Sequence, residues 1–395
     1  MTLNTRIWTT IKNTSVALPI SILDIFSGYI VFQILYLIED IPQLLIIYPM
    51  ILTARGGLNG ILNGNISTGL HLGTIKPSFR NNTEEFHTLV TSILLLSIYT
   101  GIYIGFISNL NLFKSEISAL DTPLVLLTSL NTVVLTAYIS IPIAMYIAGK
   151  AFYSALDPDM ILYPMTSTIS DLLSSLIFTL ISLGIYLLLY SYPYIVIILT
   201  VSALLPTAFV AMKYGFTEIG KDILKETFPL LTVLATISWI TGNILALLME
   251  DIILYPMILV VFPAFATLMG DVGSIIGSIT TTKLYLGELK PRINNIIELA
   301  PEILGLEIVN IAVLSIATGL SAYLTMASIP TLISIYFRLF LAQIIIMVLL
   351  CIITVGVAFI TFKNGLNADN FVIPIETSSM DLLTISIIYL TITFI

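Results

Sequence analysis

Between Ser15 and Ile395 the chain runs again and again for about 20 residues or more with almost no charge, the length an α-helix needs to cross the hydrocarbon core of a bilayer. The runs are Ser15 to Ile38, Ile41 to Ile66, Phe86 to Ile107, Pro123 to Ala148, Tyr163 to Leu189, Tyr192 to Met212, Phe228 to Leu248, Ile252 to Thr280, Ile303 to Met326, Leu332 to Phe362 and Phe371 to Ile395. In lipid only helices and closed barrels satisfy their own backbone polar groups, so the pattern predicts an all-α polytopic membrane protein with about 11 transmembrane helices. With 57% hydrophobic and 10% charged residues, the chain has too little polar surface to coat a soluble globule. The first run is too long for a signal-peptide core and lacks a small-residue cleavage pattern, so it is expected to remain as a span. The net charge of −8 is scattered through short loops and makes no basic surface for nucleic acid. The single cysteine, Cys351, lies in an apolar run and excludes both an intrachain disulfide and a cysteine metal cluster.

The chain is also written twice. Pro49 to Pro77 and Pro263 to Pro291 align without a gap at an offset of 214 residues (Pro49 onto Pro263), sharing Gly56/Gly270, Thr68/Thr282, Leu72/Leu286, Gly73/Gly287 and Lys76/Lys290. A second pair, DPDMILYPMTSTISDLL from Asp157 and NADNFVIPIETSSMDLL from Asn367, aligns at an offset of 210 (Asp171 onto Asp381). The spans therefore divide into five, one and five: residues 1–190 form the first repeat, 191–226 a linker helix and a charged amphipathic segment, and 227–395 the second repeat. The odd linker span brings the chain back across the membrane, which predicts parallel repeats about a pseudo-twofold axis along the membrane normal. With the N-terminus cytoplasmic, twelve of the 15 Lys and Arg residues fall at cytoplasmic ends, Lys114 falls outside, and Arg55 and Arg338 lie within runs. That bias satisfies the positive-inside rule and suits a multi-pass protein of the cell membrane.

Each fifth span carries a carboxylate inside an apolar helix, Asp171 and Asp381. Ser167, Thr168 and Ser174 flank the first at minus four, minus three and plus three, and Thr377, Ser378 and Thr384 flank the second likewise, so each helix has a polar stripe. A carboxylate in hydrocarbon is costly and should face the bundle interior, a partner or water. One reading has the two stripes line a cation path between the repeats; the other has each Asp fix helix packing. Gly56, Gly60 and Gly64, and Gly273 with Gly277, permit either close helix contact or backbone bordering a cavity. Asp271 adds a carboxylate in the second repeat where the first has Gly57. Arg55 and Asp24 are further charges at membrane depth, and an ion pair of Arg55 with Asp24 or Asp271 is one expectation. His71 and His87 have no partners at ligand spacing and read as interfacial residues.

Two stretches carry a resemblance. The run from Pro263 through Gly270-Asp271-Val272-Gly273-Ser274 and Thr280-Thr281-Thr282 to Leu286-Gly287-Glu288 resembles the second-helix signature of MgtE-type magnesium transporters. Asp157-Pro158-Asp159, Pro164 and the Ser/Thr-rich approach to Asp171 resemble their fifth-helix signature. The tandem arrangement is similar to the eukaryotic solute-carrier relatives, which fuse two such domains where MgtE proteins form homodimers, so an oligomer is not required to complete the pore. By resemblance, the pore-lining carboxylate of the fifth helix falls at Asp171 and Asp381, and the polar position of the second helix at Asp271 and Gly57. No stretch resembles the cytosolic nucleotide-binding domains of many MgtE proteins, so gating by them is not expected.

The resemblance implies a non-enzymatic channel or transporter for divalent cations, Mg2+ first among them, with Asp171, Asp381, Asp271, Ser167 and Thr377 as metal-contacting residues. Mg2+ would be cargo rather than a resident cofactor, and the lipid bilayer is the other partner. Two further classes remain. A cation-coupled carrier of another solute would use the same carboxylates. An intramembrane aspartyl protease would need Tyr-Asp and Gly-x-Gly-Asp pairs, whereas the contexts here are Ile-Ser-Asp171, Ser-Met-Asp381 and Met-Gly-Asp271.

Overall fold

The apolar runs become helices in the computed structural model. It describes the chain apart from residues 1–2, 111–120, 154–157, 190, 215–216, 286, 293–296, 365–368 and 395; at 158–165, 369–378 and some isolated positions, His71 among them, only the backbone is described. Lys114 and the Asp157 and Asn367 ends of the fifth-span motifs thus lie outside the described residues. In chain order the α-helices are α1 (Leu3–Ala17), α2 (Asp24–Phe32), α3 (Leu35–Asp40), α4 (Gln43–Leu72), α5 (Glu84–Ile107), α6 (Asp121–Tyr153), α7 (Pro158–Leu189), α8 (Pro193–Tyr214), α9 (Glu218–Leu247), α10 (Met249–Leu254), α11 (Met257–Tyr285), α12 (Ala300–Leu324), α13 (Ile329–Lys363) and α14 (Asp369–Phe394). Among the described residues nine helices are long and apolar enough to span a bilayer, and Leu18–Phe32 and Ser379–Thr393 are shorter apolar helices. The chain is an all-α, multi-pass membrane protein.

The first span differs from the unbroken helix its composition suggests. Pro19 has no N–H to donate and cannot continue a regular α ladder. The chain there narrows to a 3-10 turn, Leu18–Leu23, in which the Ser21 hydroxyl donates to the Leu18 carbonyl at 2.7 Å, before α2 resumes at Asp24. Conversely, the charged segment before Phe228 joins the next span without a break, as the single helix α9.

The repeated Leu-Gly pairs end the second helices. Gly73 and Gly287 both have φ 73°, the left-handed conformation that glycine adopts without steric cost. Gly73 N–H donates to Leu70 at 3.3 Å and Gly287 N–H to Leu284 at 3.1 Å, while Ile75 and Leu289 reach back to Gly69 and Lys283 at 3.0 Å. These bonds satisfy carbonyls that a helix end otherwise leaves open.

The helices gather into two compact units, one of residues 1–32 with 247–395 and one of residues 33–246. In the first, α2 packs on α11 and α1 on α12, and α11 also meets α12, α13 and α14. Arg6 fastens α1 by a fork of hydrogen bonds to Glu302, at 2.9 Å from Nε and 2.7 Å from Nη2, and Lys283 of α11 approaches the same carboxylate at 2.7 Å. Gly28 of α2 lies so close to α11 that a Cβ added there would come within 2.7 Å of the Leu259 carbonyl oxygen and 2.8 Å of the Val260 carbonyl carbon.

The second unit packs α4 against α5, α6 and α7, and α6 against α5 and α7. Its α9 is held to α5 by Tyr99 to Thr232 at 2.6 Å and Tyr103 to Thr236 at 2.8 Å, with Phe228 stacked on Tyr99. Gly242 of α9 makes the equivalent approach to α4: an added Cβ would sit 2.9 Å from the Ile46 carbonyl carbon. Gly28 and Gly242, like Ile46 and Val260, are related by the 214-residue offset of the repeat. Each unit therefore takes its first helix from one half of the sequence and helices two to five from the other. The linker helix α8 is tied to α6 by Asn131 to Thr200 at 3.0 Å and Tyr138 to Thr207 at 2.6 Å. Its Ile198, Leu205, Phe209 and Met212 are exposed, as suits a face turned to lipid.

Candidate functional site

Residues 55, 59 and 63 recur at a spacing of four, which places Arg55, Asn59 and Asn63 on one face of α4. All three are buried, and each meets a polar group of a neighbouring helix. Arg55 donates from Nη2 to Asn59 Oδ1 at 2.9 Å and to the Ser140 hydroxyl of α6. Asn59 Nδ2 donates to Ser170 of α7 at 2.7 Å, and Asn63 Nδ2 to Thr166 at 2.7 Å. One end of this seam is closed by Tyr48, whose hydroxyl lies 3.0 Å from that of Ser175 and whose ring rests on Phe178. Asp171 belongs to the same α7 segment and acts electrostatically on the Arg55 guanidinium. Within this unit, Asp171 is an electrostatic partner of Arg55.

The seam is only partly satisfied from within. Arg55 Nε and Nη1, Asn63 Oδ1, Ser67 Oγ and Ser174 Oγ are buried without a partner among the described residues. Polar atoms left so in a protein interior mark places where water or an ion completes the bonding. Ser174 sits three residues after Asp171, and its counterpart Thr384 three residues after Asp381. Both side chains are fully buried, and neither hydroxyl has a partner among the described residues. The same local environment thus follows the aspartate in both fifth helices.

In the other unit the second helix is chemically different. The offset places Met269, Gly273 and Gly277 where α4 has Arg55, Asn59 and Asn63, and places Asp271 and Ser274 where α4 has Gly57 and Gly60. Asp271 is on α11 and Asp381 on α14, helices that pack together. Ser167 on α7 is half-buried; the side chain of Thr377 lies outside the described residues. Asp24, at the start of α2, is fully buried, and His87 stacks on Tyr214 with ring centroids 4.7 Å apart. Among the described residues no group of three or more His, Cys, Asp or Glu side chains is placed to hold a metal ion. A cation at the aspartates would therefore draw on hydroxyls, carbonyls and its own water.

The glycines of the second helix divide. A Cβ added at Gly57 would press on Leu231 and Leu234 of α9, at 3.0 and 3.3 Å, whereas one at Gly56, Gly64 or Gly270 would meet nothing within 4 Å. Close packing within the units thus accounts for Gly57 and leaves Gly56, Gly64 and Gly270 bordering open space.

The comparison with known families follows the same two halves. The sequence profile of the MgtE family, described as "Divalent cation transporter", matches residues 48–181 and 262–391, about two-thirds of the chain. The chain belongs to the MgtE family. The matched stretches contain Asp171 in one case and Asp271 and Asp381 in the other, and their starting points repeat the 214-residue offset of the second-helix motifs. No curated protein and no solved structure gives a significant match. MgtE is a transporter family, not an enzyme family, and divalent cations are its cargo.

The Arg55–Asp171 relation gives a stability prediction for this MgtE chain. Arg55→Met alone strands a carboxylate in the helix bundle and should destabilise the purified protein by about 3–5 kcal/mol. Arg55→Met combined with Asp171→Asn removes both charges and should recover most of the lost thermal stability. A double variant as unstable as Arg55→Met alone would rule out the pairing.

Proposed function

We propose that the protein is a Mg2+ channel or transporter of the cell membrane, with its N-terminus cytoplasmic and its ion path running between the pseudo-twofold related repeats. The observation that carries this reading is the matched environment of Asp171 and Asp381: each lies within a family-matched stretch, on a fifth helix, with a fully buried hydroxyl one turn further on that has no partner among the described residues. Mg2+ demands six oxygens at short distance and sheds water reluctantly. One or two carboxylates with hydroxyls such as Ser167 and Thr377 can hold it while most of its water remains.

Charge divides the roles of the carboxylates. Arg55 compensates Asp171 within its own unit. Asp271 and Asp381 lie on helices that pack together in the other unit, where two carboxylates can match the ion's +2 at low dielectric. Asp171 then lines and orients the path, and Asp271 with Asp381 supplies the attraction. An inside-negative potential of about 100 mV drives a divalent ion inward by about 4.6 kcal/mol, twice the value for a single charge. Uptake therefore needs no second energy source.

Growth of Mg2+-starved cells lacking their own Mg2+ transporters tests the reading. The unmutated protein is expected to restore growth, and the variant carrying Asp171→Asn with Asp381→Asn is expected not to. Rescue by that double variant would remove these aspartates from the path, and absence of rescue by the unmutated protein would remove Mg2+ as the cargo.

A further inference from the structure

The Arg55 guanidinium makes fewer bonds than it can. It is buried, and its Nη2 alone is engaged, by Asn59 Oδ1 at 2.9 Å and by the Ser140 hydroxyl. Nε and Nη1 have no hydrogen-bond partner among the described residues, which leaves three of the five N–H donors bare. A bidentate fork onto a carboxylate uses two of the three nitrogens, and every such pair includes Nε or Nη1. The guanidinium therefore feels the charge of Asp171 without a fork closed between them. A route toward that carboxylate is at hand. α4 packs on α7, and Asn59, which holds Arg55 by its oxygen, donates from its nitrogen to Ser170, the residue before Asp171, at 2.7 Å.

Buried donors left bare are costly, and here both groups that hold the guanidinium are neutral. A free anion is kept from these donors by Asp171; the carboxylate itself can take them. Arg55 thus has two places to rest, on Ser140 and Asn59 as seen here, or forked onto Asp171. A cation that reaches Asp171 must exclude the second. Exchange of the guanidinium for an ion of charge +1 at the same distance leaves the attraction unchanged, whereas an ion of charge +2 doubles it. A monovalent ion gains nothing electrostatically by the exchange. In the other half Met269 stands at this position, so the device belongs to one repeat.

We propose that Arg55 is a tethered cation that competes with the cargo for Asp171 and sets the charge an ion needs to enter the first half. Ser140 is a positioning residue, which holds the guanidinium clear of the carboxylate while the ion is bound. The inference rests on the reading that Asp171 lines the path.

The test is the thermal midpoint of the purified full-length protein in detergent, titrated with MgCl2 against choline chloride at equal ionic strength. Ligand that binds only the folded state raises the midpoint, and its concentration dependence gives an apparent dissociation constant. The variant Arg55→Gln with Asp171→Asn supplies the response that does not involve Asp171. Relative to it, Ser140→Ala should raise the apparent Mg2+ dissociation constant by about tenfold, because Arg55 then occupies the carboxylate for most of the time. Ser140→Thr, which keeps the hydroxyl, should restore the original value. Arg55→Gln should lower the constant and should let NaCl raise the midpoint, an effect that the added Asp171→Asn removes. Ser140→Ala leaves every charge in place, so the test stands even if Arg55→Gln fails to fold. An unchanged constant in Ser140→Ala overturns the proposal, as does a folded Arg55→Gln that is as indifferent to Na+ as the unmutated protein. If the Arg55→Gln, Asp171→Asn variant responds to Mg2+ just as the unmutated protein does, Asp171 lies off the path and the underlying reading fails with it.

Discussion

Asp381→Asn is expected to lower Mg2+ flux into proteoliposomes by about 100-fold, whereas Asp171→Asn made together with Arg55→Met is expected to lower it by less than about tenfold. Two unit charges about 4 Å apart interact by about 4 kcal/mol at an effective dielectric of about 20, and a divalent ion doubles that attraction. If hydration cancels about two-thirds of that attraction, the remainder is roughly the 2.7 kcal/mol that corresponds to 100-fold. The Asp171 charge is already answered by Arg55, so deleting the pair changes the net charge of the path by nothing. Deleting Asp171 alone is a different experiment, because it leaves a buried guanidinium beside the path and repels the cargo. The Asn and Met replacements are close in size to the residues they replace, and elution at the size of the unmutated protein establishes that the variants are folded. If the paired variant falls as far as Asp381→Asn, the division of roles between the two halves is wrong. If Asp381→Asn keeps half of the flux, Asp381 is not in the path.

The membrane class, the duplication and the family were legible in the sequence because each rests on a pattern that survives without geometry. Span length is set by bilayer thickness, and the 214-residue offset depends only on matched identities. The repeated glycines of the second helix were visible as a repeat but ambiguous in cause. The structure separates them by what each one faces: Gly73 and Gly287 serve the chain's left-handed turns, Gly57 is pressed by leucines, and Gly56, Gly64 and Gly270 border open space. Asn59 and Asn63 were overlooked because each directly precedes one of those glycines, although their spacing of four from Arg55 was a signal. Ser170 and Thr166 could not be chosen over Ser167 and Thr168, because the polar positions of that stripe are close in angle and only the neighbouring helix selects among them. The regrouping of first helices is invisible in principle. A repeat states which residues are equivalent, but the same interface can be closed within one copy or across two.

That regrouping makes one mutation act with opposite sign at different glycines. Gly28→Ala and Gly242→Ala should each destabilise the protein, by about 1–3 kcal/mol, because the added carbon would lie within 3.0 Å of the backbone of α11 in one case and α4 in the other. Backbone cannot rotate aside as a side chain does, so the helices must separate or tilt, and the larger Gly242→Leu should prevent the unit from forming. Gly56→Ala and Gly270→Ala place the same carbon where nothing lies within 4 Å. There the change removes only glycine's conformational freedom and should stabilise the helix by up to about 1 kcal/mol. For units of this size each kcal/mol moves the thermal midpoint by about 2–4 °C, so the two classes separate in a single series of unfolding curves. The pairs also test the symmetry of the exchange. Gly28 and Gly242 occupy equivalent positions in the two copies, and each supports a different unit. Loss at one with none at the other would mean that only one first helix is held by the opposite half of the sequence.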